Sequence, residues 1–376
     1  MLRLYLLSAL LHGYIGIRVL PDLAGGWPTA ATAAVLIASA LLVPLGFSRS
    51  RRTASSEWII GAGLVAVGLL SSLLMATLTR DVALLVAFLL SPWIEASSRA
   101  AFTTVTALAV PIVATIVTGI GFINARRRAR VRDVDVPIAN LPPALQGFRI
   151  AQISDVHVGP TIKRRYVDAI VDAVNALEVD MVAVTGDLVD GSVRELRSHT
   201  EPLGRLASRH GTFFVTGNHE YYSGAAAWVC ELTRLGLNVL QNQHVVIDHD
   251  GGKLVVAGVN DLSAHHFDPS QRSDPARSIA TAPRDAAVKV LLAHQPRSAY
   301  AAEKAGFDLQ LSGHTHGGQF VPWNYLVRFW QPFTAGLHRL GALWVYISRG
   351  TGYWGPPKRF GAPSEITRLR LVMGSV

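Results

Sequence analysis

Five short clusters carry the side chains that hold hard cations. They are Asp155-Val156-His157, Gly186-Asp187-Leu188-Val189-Asp190, Gly217-Asn218-His219-Glu220, His294 after the apolar run Val290–Ala293, and Gly313-His314-Thr315-His316-Gly317-Gly318-Gln319. Carboxylate, amide oxygen and imidazole suit Mn, Fe, Zn or Ni. A lone Asp-x-His, or a lone histidine at a strand end, is usually just a hydrogen-bonded residue. The signal lies in the ordered set, each member following a strand-like run. Alternate residues of an extended segment share a face, so Asp155 with His157, and His314 with His316, are expected to reach one ion as pairs. Gly186 lets the chain turn sharply, and the two carboxylate oxygens of Asp187 suit it to bridge two cations. Thiolate ligation is excluded, because Cys230 is the single cysteine, and an internal disulfide is excluded with it. Cys230 reads as a small buried residue of a helix near Trp228 and Leu232.

These side chains need elements to position them. Phe148–Ile153 reads as a buried strand running into Asp155, followed by a helix over about 163–177. Asp180–Val184 is a second strand, ending at Gly186-Asp187, with a helix over about 194–208. Thr212–Val215 is a third, ending at Gly217-Asn218, with a helix over about 225–235. Polar residues thus collect at the carboxyl ends of successive strands, where open α/β sheets place their sites. A β-rich stretch follows at 245–248, 254–258, 288–293, 309–311, 343–348 and 366–372. Asp250-Gly251-Gly252 is a hairpin turn signal.

The chain of 376 residues is 50% hydrophobic and 16% charged, with a mean hydropathy of +0.30. Long apolar runs lie before about residue 125, which divides the chain into a membrane part and a water-soluble part. The runs are about Leu4–Leu20, Thr29–Phe47, Trp58–Leu78, Val82–Ile94 and Ala100–Ile123, giving four or five helices. Val82–Ile94 is short for a span. The net charge of +9 is concentrated locally, at Arg49, Arg51 and Arg52 and again from Arg126 to Arg132. Both clusters flank apolar runs, so membrane lipids and topology explain them, and nucleic acid is an unlikely partner. They lie on one side only if one intervening segment fails to span. Residues 126–146, basic and containing Pro137, Pro142 and Pro143, read as a linker between a 1–125 transmembrane helical domain and a 147–376 domain.

The series D-x-H, G-D-x-x-D, G-N-H-E, H and G-H-x-H resembles the calcineurin-like metallophosphoesterase superfamily over roughly residues 147–372. G-H-T-H-G-G-Q behind several membrane segments resembles its membrane-associated YaeI/YkuE-like branch. The resemblance implies an α/β fold: N-terminal transmembrane helices followed by a four-layer αββα metallophosphoesterase sandwich. It implies two divalent metal ions, one on Asp155, His157 and His316, the other on Asn218, His294 and His314, with Asp187 bridging. Asp190 would stand behind the ligands, and His219 would face the substrate. The implied chemistry is two-metal-dependent hydrolysis of phosphate esters at the membrane. A bridging hydroxide would attack phosphorus, with His219 as proton donor and Glu220 orienting its ring. The substrate class is a lipid- or nucleotide-linked phosphate. Competing readings are a tethered phosphodiesterase or nuclease acting on a soluble substrate, and a non-catalytic membrane sensor that only binds phosphate ligands. A multi-pass protein of the cell (inner) membrane follows, with the branch and a five-span count placing the catalytic domain on the extracytoplasmic side.

Three other groups read as scaffold. Asp261, His265, His266 and Asp268 fit a loop at the cleft rim better than a third metal site. Trp323, Tyr325, Phe329, Trp330 and Phe333 read as core packing, with a lipid-admitting groove as the alternative. Arg349-Gly350-Thr351-Gly352-Tyr353-Trp354 lacks the spacing of a nucleotide loop. It reads equally as a plain turn or as a pocket wall with Arg349 near phosphate.

Overall fold

The computed structural model describes residues 1–23, 25–47 and 54–374, and the chain divides into two units. The first comprises Met1–Arg126 with two later segments, Phe320–Pro322 and Gly355–Gly361. It contains helices α1 (Leu2–Val19), α2 (Gly26–Gly46), α3 (Ala54–Leu89) and α4 (Ala96–Arg126). Each is long and apolar enough to cross a membrane. Among the described residues the number is four, because Val82–Ile94 does not form a helix of its own. Thr79-Arg80-Asp81, which reads as a break, lies inside α3. The Arg80 guanidinium is buried but fully answered: it donates to Asp22 and the Arg18 carbonyl, each at 2.5 Å, and to Thr103 and Thr106 at 3.2 Å. Asp81 accepts from Arg18 at 2.9 Å and from the Tyr14 hydroxyl. A buried charge with partners does not force a helix to end. Pro92, about three turns further on, does. Ile15, Val19, Leu36, Val43, Leu73, Val110 and Ala114 form the core of this unit. Arg49, Arg51 and Arg52 lie outside the described residues.

The second unit is built on two six-stranded sheets. The first runs in the order β1 (Arg130–Ile138), β12 (Glu365–Met373), β2 (Arg149–Ile153), β3 (Met181–Val184), β4 (Thr212–Phe214), β5 (Asn238–Val239). The second runs β10 (Gly336–Leu340), β11 (Leu343–Ile347), β9 (Leu309–Ser312), β8 (Val288–Leu292), β7 (Gly252–Gly258), β6 (Gln243–His249). Their facing surfaces share one core, with Ile150, Met181 and Phe213 from the first sheet and Val256, Val290 and Leu311 from the second. Helices cover the outer faces. On the first sheet, α5 (Arg164–Asn175) buries Val167, Ile170, Val171 and Val174, each worth about 1.5–3 kcal/mol of transfer free energy. On the second, Ala299 and Ala302 pack against Ala257, Leu291 and Val345. The result is a four-layer αββα sandwich.

The linker expected at 126–146 contains a strand, β1. β1 pairs in parallel with β12 over its full length, from Arg130 opposite Glu365 to Ile138 opposite Met373. Its alternating pattern was masked by its charges, which β12 answers: Arg368 donates to Asp133 at 2.6 Å and Arg370 to Asp135 at 2.7 Å. Pro137 is tolerated because β1 is an edge strand. Arg132 faces Glu365 at 3.6 Å, so part of the basic cluster serves the sheet. The helix expected over 194–208 is α6 (Val193–Thr200), ending in a 3-10 turn at Pro202. Asn218–Ser223 form the short α7, and α8 (Ala225–Arg234) turns Trp228, Glu231 and Leu232 inward. Cys230 falls on the opposite face and is exposed, not buried.

Candidate metal centre

The donor-bearing loops leave the carboxyl ends of β2, β3, β4, β8 and β9. Their backbone departs from the expected extended geometry. Asp155, His157, Asp187, His314 and His316 all have positive φ, between 52° and 69°. Side chains two apart therefore converge through left-handed turns and not through strand alternation. Such conformations cost about 1–3 kcal/mol each for non-glycine residues, and the surrounding hydrogen bonds must hold them. Gly186, at φ 86°, makes the sharp turn before Asp187 without that cost.

The site gathers ligand atoms into overlapping groups. Asp155, His157 and His316 form one, and Asp187, His294 and His314 another; within each, the ligand atoms lie within 4.8 Å of one another. Asp187 Oδ2 stands 3.1 Å from His294 Nε2 and 3.9 Å from His157 Nε2, so its carboxylate reaches both groups. A third group joins His157 and Asp187 to His219. Asn218 Oδ1 is buried and has no hydrogen-bond partner among the described residues. Imidazole nitrogens face each other at 3.1 Å in His157–His316 and 3.2 Å in His294–His314. Imidazole and carboxylate donors converging in this way, beside the Asn218 amide oxygen, fit divalent metal ions.

Outer hydrogen bonds aim these donors. His294 Nδ1 donates to the Thr185 carbonyl at 2.8 Å, which turns Nε2 inward. His157 Nδ1 donates to Asp190 Oδ1 at 3.2 Å. Asp155 accepts from Ser154 Oγ at 2.5 Å and from the His314 N–H at 2.9 Å. Burial, and next the His294 charge, act oppositely on Asp155, and its carboxyl lies above the usual range. Burial would raise Asp187 too, but His294 and His219 hold it well below. His314 is pushed down to about 4, by burial and then by the His294 charge, and so stays a neutral donor.

His219 lies at the mouth of this cluster. Its Nδ1 meets Asp190 Oδ1 at 2.5 Å, and its backbone N–H donates to Asp187 at 2.9 Å. Burial pushes its pKa down, but Asp187 and then Asp190 outweigh that and bring it up to about 9. Glu220 does not orient the His219 ring. It is fully buried and accepts three backbone N–H bonds: from Gly217 at 2.6 Å, Leu188 at 2.8 Å and Asp187 at 3.0 Å. It staples the β3 loop to the start of α7. The available signal for that role was a Glu at the third position of α7, from which its carboxylate reaches back to the Gly217 N–H.

The calcineurin-like phosphoesterase family model matches residues 148–318. A Bos taurus transmembrane protein with metallophosphoesterase domain is 40% identical over 277 residues, 70% of this chain and 62% of that protein. An uncharacterized metallophosphoesterase of Aquifex aeolicus is 31% identical over 239 residues, 63% of this chain and 89% of that protein. The chain belongs to the calcineurin-like metallophosphoesterase family. YkuE of Bacillus subtilis, an uncharacterized metallophosphoesterase, is 28% identical across 61% of this chain and 81% of its own. The chain spans about three fifths of the length of the Bos taurus relative.

Two family-motif glycines have a steric reason in this chain. A Cβ on Gly217 would strike the Asp187 carboxylate, and one on Gly313 would strike Ser154 Oγ and the Asp155 carboxylate. The loops therefore approach closely enough to share ligands only where no side chain intervenes. Among the described residues, Asp261, His265, His266 and Asp268 belong to none of the ligand groups. Asp261 accepts from Ser263 and Gln295, and Asp268 caps a short turn. Trp323, Tyr325, Phe329 and Trp330 are exposed, contrary to the core-packing expectation, while Phe333 packs beside the outer core of the second sheet. Tyr222 and Trp354 place their rings 5.3 and 5.9 Å from that of His219. Arg349 passes beside Gly317 and stands 3.9 Å from Glu365. His210 and His249 are hydrogen-bonded to each other at 2.9 Å against Phe148.

Proposed function

We propose that this chain hydrolyses phosphate esters at a membrane with two divalent ions. One ion would be held by Asp155, His157 and His316, the other by Asn218, His294 and His314, with Asp187 between them. The observation that carries this reading is the reach of the Asp187 carboxylate to both ligand groups. When bound, such ions supply Lewis acidity that lowers the pKa of a water and screens the phosphoryl oxygens. The chain supplies the rest. Ser154, Thr185 and Asp190 orient the donors. Asp190 holds a proton on His219 Nδ1, leaving Nε2 to protonate the departing oxygen. Tyr222 and Trp354 wall that departure side. A lipid- or nucleotide-linked ester fits a site carried on a membrane unit.

We infer the membrane side from helix parity. With α3 and α4 both crossing, the α2–α3 loop containing Arg49, Arg51 and Arg52 lies on the same side as Arg126–Arg128. Both basic clusters then support a cytoplasmic catalytic domain, the alternative to the outward expectation from five spans. A fluorescent protein fused after Val376 should fluoresce in cells; a dark fusion active only as an exported reporter would reverse the side.

The activity is tested on the full chain in detergent with bis-p-nitrophenyl phosphate and p-nitrophenyl phosphate, with and without manganese. Manganese-dependent turnover lost in Asp187→Ala and His219→Ala supports the reading. Asp187→Ala should also lose metal, whereas His219→Ala should keep it. Turnover surviving in Asp187→Ala would refute the bridging role.

A further inference from the structure

The N-terminal unit contains a groove between α3 and α4 that none of the phosphoesterase chemistry uses. Its volume is about 400 Å³, within the range of small-ligand sites. Along α3 its lining runs from Ser72 to Ala83, about 16 Å at 1.5 Å per residue. The walls are apolar, including Met75, Ala76, Val110, Val117 and Phe320, and no lining residue is acidic.

Lys358 lines the Ser72 end. It belongs to the segment Gly355–Gly361, which packs within this unit, and only 2% of it is exposed. Its ammonium donates to the Gly68 carbonyl and to Ser72 Oγ, both at 2.6 Å, and lies 5.1 Å from the Phe320 ring centre. Among the described residues it has no carboxylate partner, and burial alone pushes it down to about 8. An ammonium removed from water without an anion is costly. Arg80, which also lines the groove, differs because Asp22 answers it.

We propose that this groove binds one anionic phospholipid, its acyl chain along α3 and α4 and its acidic headgroup on Lys358. The apolar walls on two candidate spans supply the chain's site, and the unanswered ammonium supplies the charge preference. A zwitterionic lipid would bring its own cation to a lining without a carboxylate. This inference does not rest on the phosphoesterase reading.

The test is native mass spectrometry of the delipidated full chain in detergent. It would be titrated separately with dioleoyl phosphatidylglycerol, dioleoyl phosphatidylcholine and inorganic phosphate. Phosphatidylglycerol should bind one per chain, roughly tenfold tighter than phosphatidylcholine, as one charge-assisted contact allows. Lys358→Met should erase that preference, and Ala109→Phe, which fills the groove, should weaken both lipids. Equal affinity for the two lipids, binding of phosphate alone with the same strength, or a preference that survives Lys358→Met would each overturn the proposal. If Lys358→Met does not fold, unchanged phosphatidylglycerol binding by Ala109→Phe overturns it instead.

Discussion

Glu220 offers the sharpest test of how the metal loops are held. Its carboxylate is the acceptor for three N–H groups, those of Gly217, Asp187 and Leu188. Glu220→Ala leaves all three without that acceptor inside a fully buried site. Each lost acceptor costs about 1–3 kcal/mol, or roughly 3–9 kcal/mol together. Water entering the space left by the side chain recovers part of this, so the expected loss is about 3–5 kcal/mol. For a domain of this size, each kcal/mol moves the Tm by about 2–4 °C, so a fall of roughly 10 °C is expected. Gln keeps one acceptor oxygen and turns an amide N–H toward a backbone N–H, so Glu220→Gln should fall between wild type and Ala. The assay is thermal unfolding of the full chain in detergent, followed by tryptophan fluorescence in the presence of EDTA. EDTA separates the staple from metal ligation. A Glu220→Ala transition within about 2 °C of wild type would refute the staple. A large fall that appears only when metal is present would assign Glu220 to ligation.

Asp190→Asn keeps an acceptor for His219 Nδ1 and His157 Nδ1 but removes the charge. At saturating manganese, turnover should drop about 10- to 100-fold for an alkyl ester, and less for p-nitrophenyl phosphate, whose leaving group needs no proton; equal losses for both would contradict a role through His219. Gly313→Ala should displace the Asp155 carboxylate and weaken metal binding about 10- to 100-fold, measured by competition with a chelating dye. His210 is held below its ordinary 6.5, first by burial and next by His249. The unfolded chain therefore takes up that proton first, so this contribution is complete above about pH 6.5 and is lost as pH falls through it. Tm measured across that range should decline on the acid side, and His210→Gln should flatten the decline; an unchanged slope would remove His210 as its source.

The gathering of Asp155, His157, Asp187, His294, His314 and His316 was legible in the sequence because loops after strands announce their polar residues against apolar runs. The paired sheets were legible for the same reason: strands buried on both faces, such as Met181–Val184 and Val288–Leu292, read as continuous hydrophobic runs. Charge hid β1, because its half-exposed strand carries Arg and Asp at the positions that pair with β12. Arg80 hid the continuity of α3, because a local reading cannot see that Asp22 and the Arg18 carbonyl answer it.

Tertiary structure decided what depends on distant partners. Left-handed turns, not strand alternation, bring Asp155 to His157 and His314 to His316, and only the closed loops hold those turns in place. Asp190 was visible as an acid, but its place between His157 and His219 needed two strand ends to meet. Glu220 was visible beside His219, yet it faces away from that ring, because helix α7 turns it back onto the Gly217 and Asp187 backbone. Sequence patterns report each residue's preference for water or the interior and for local spacing. Which charge meets which partner is a property of the folded loops, where residues over a hundred positions apart, such as Thr185 and His294, come within one hydrogen bond.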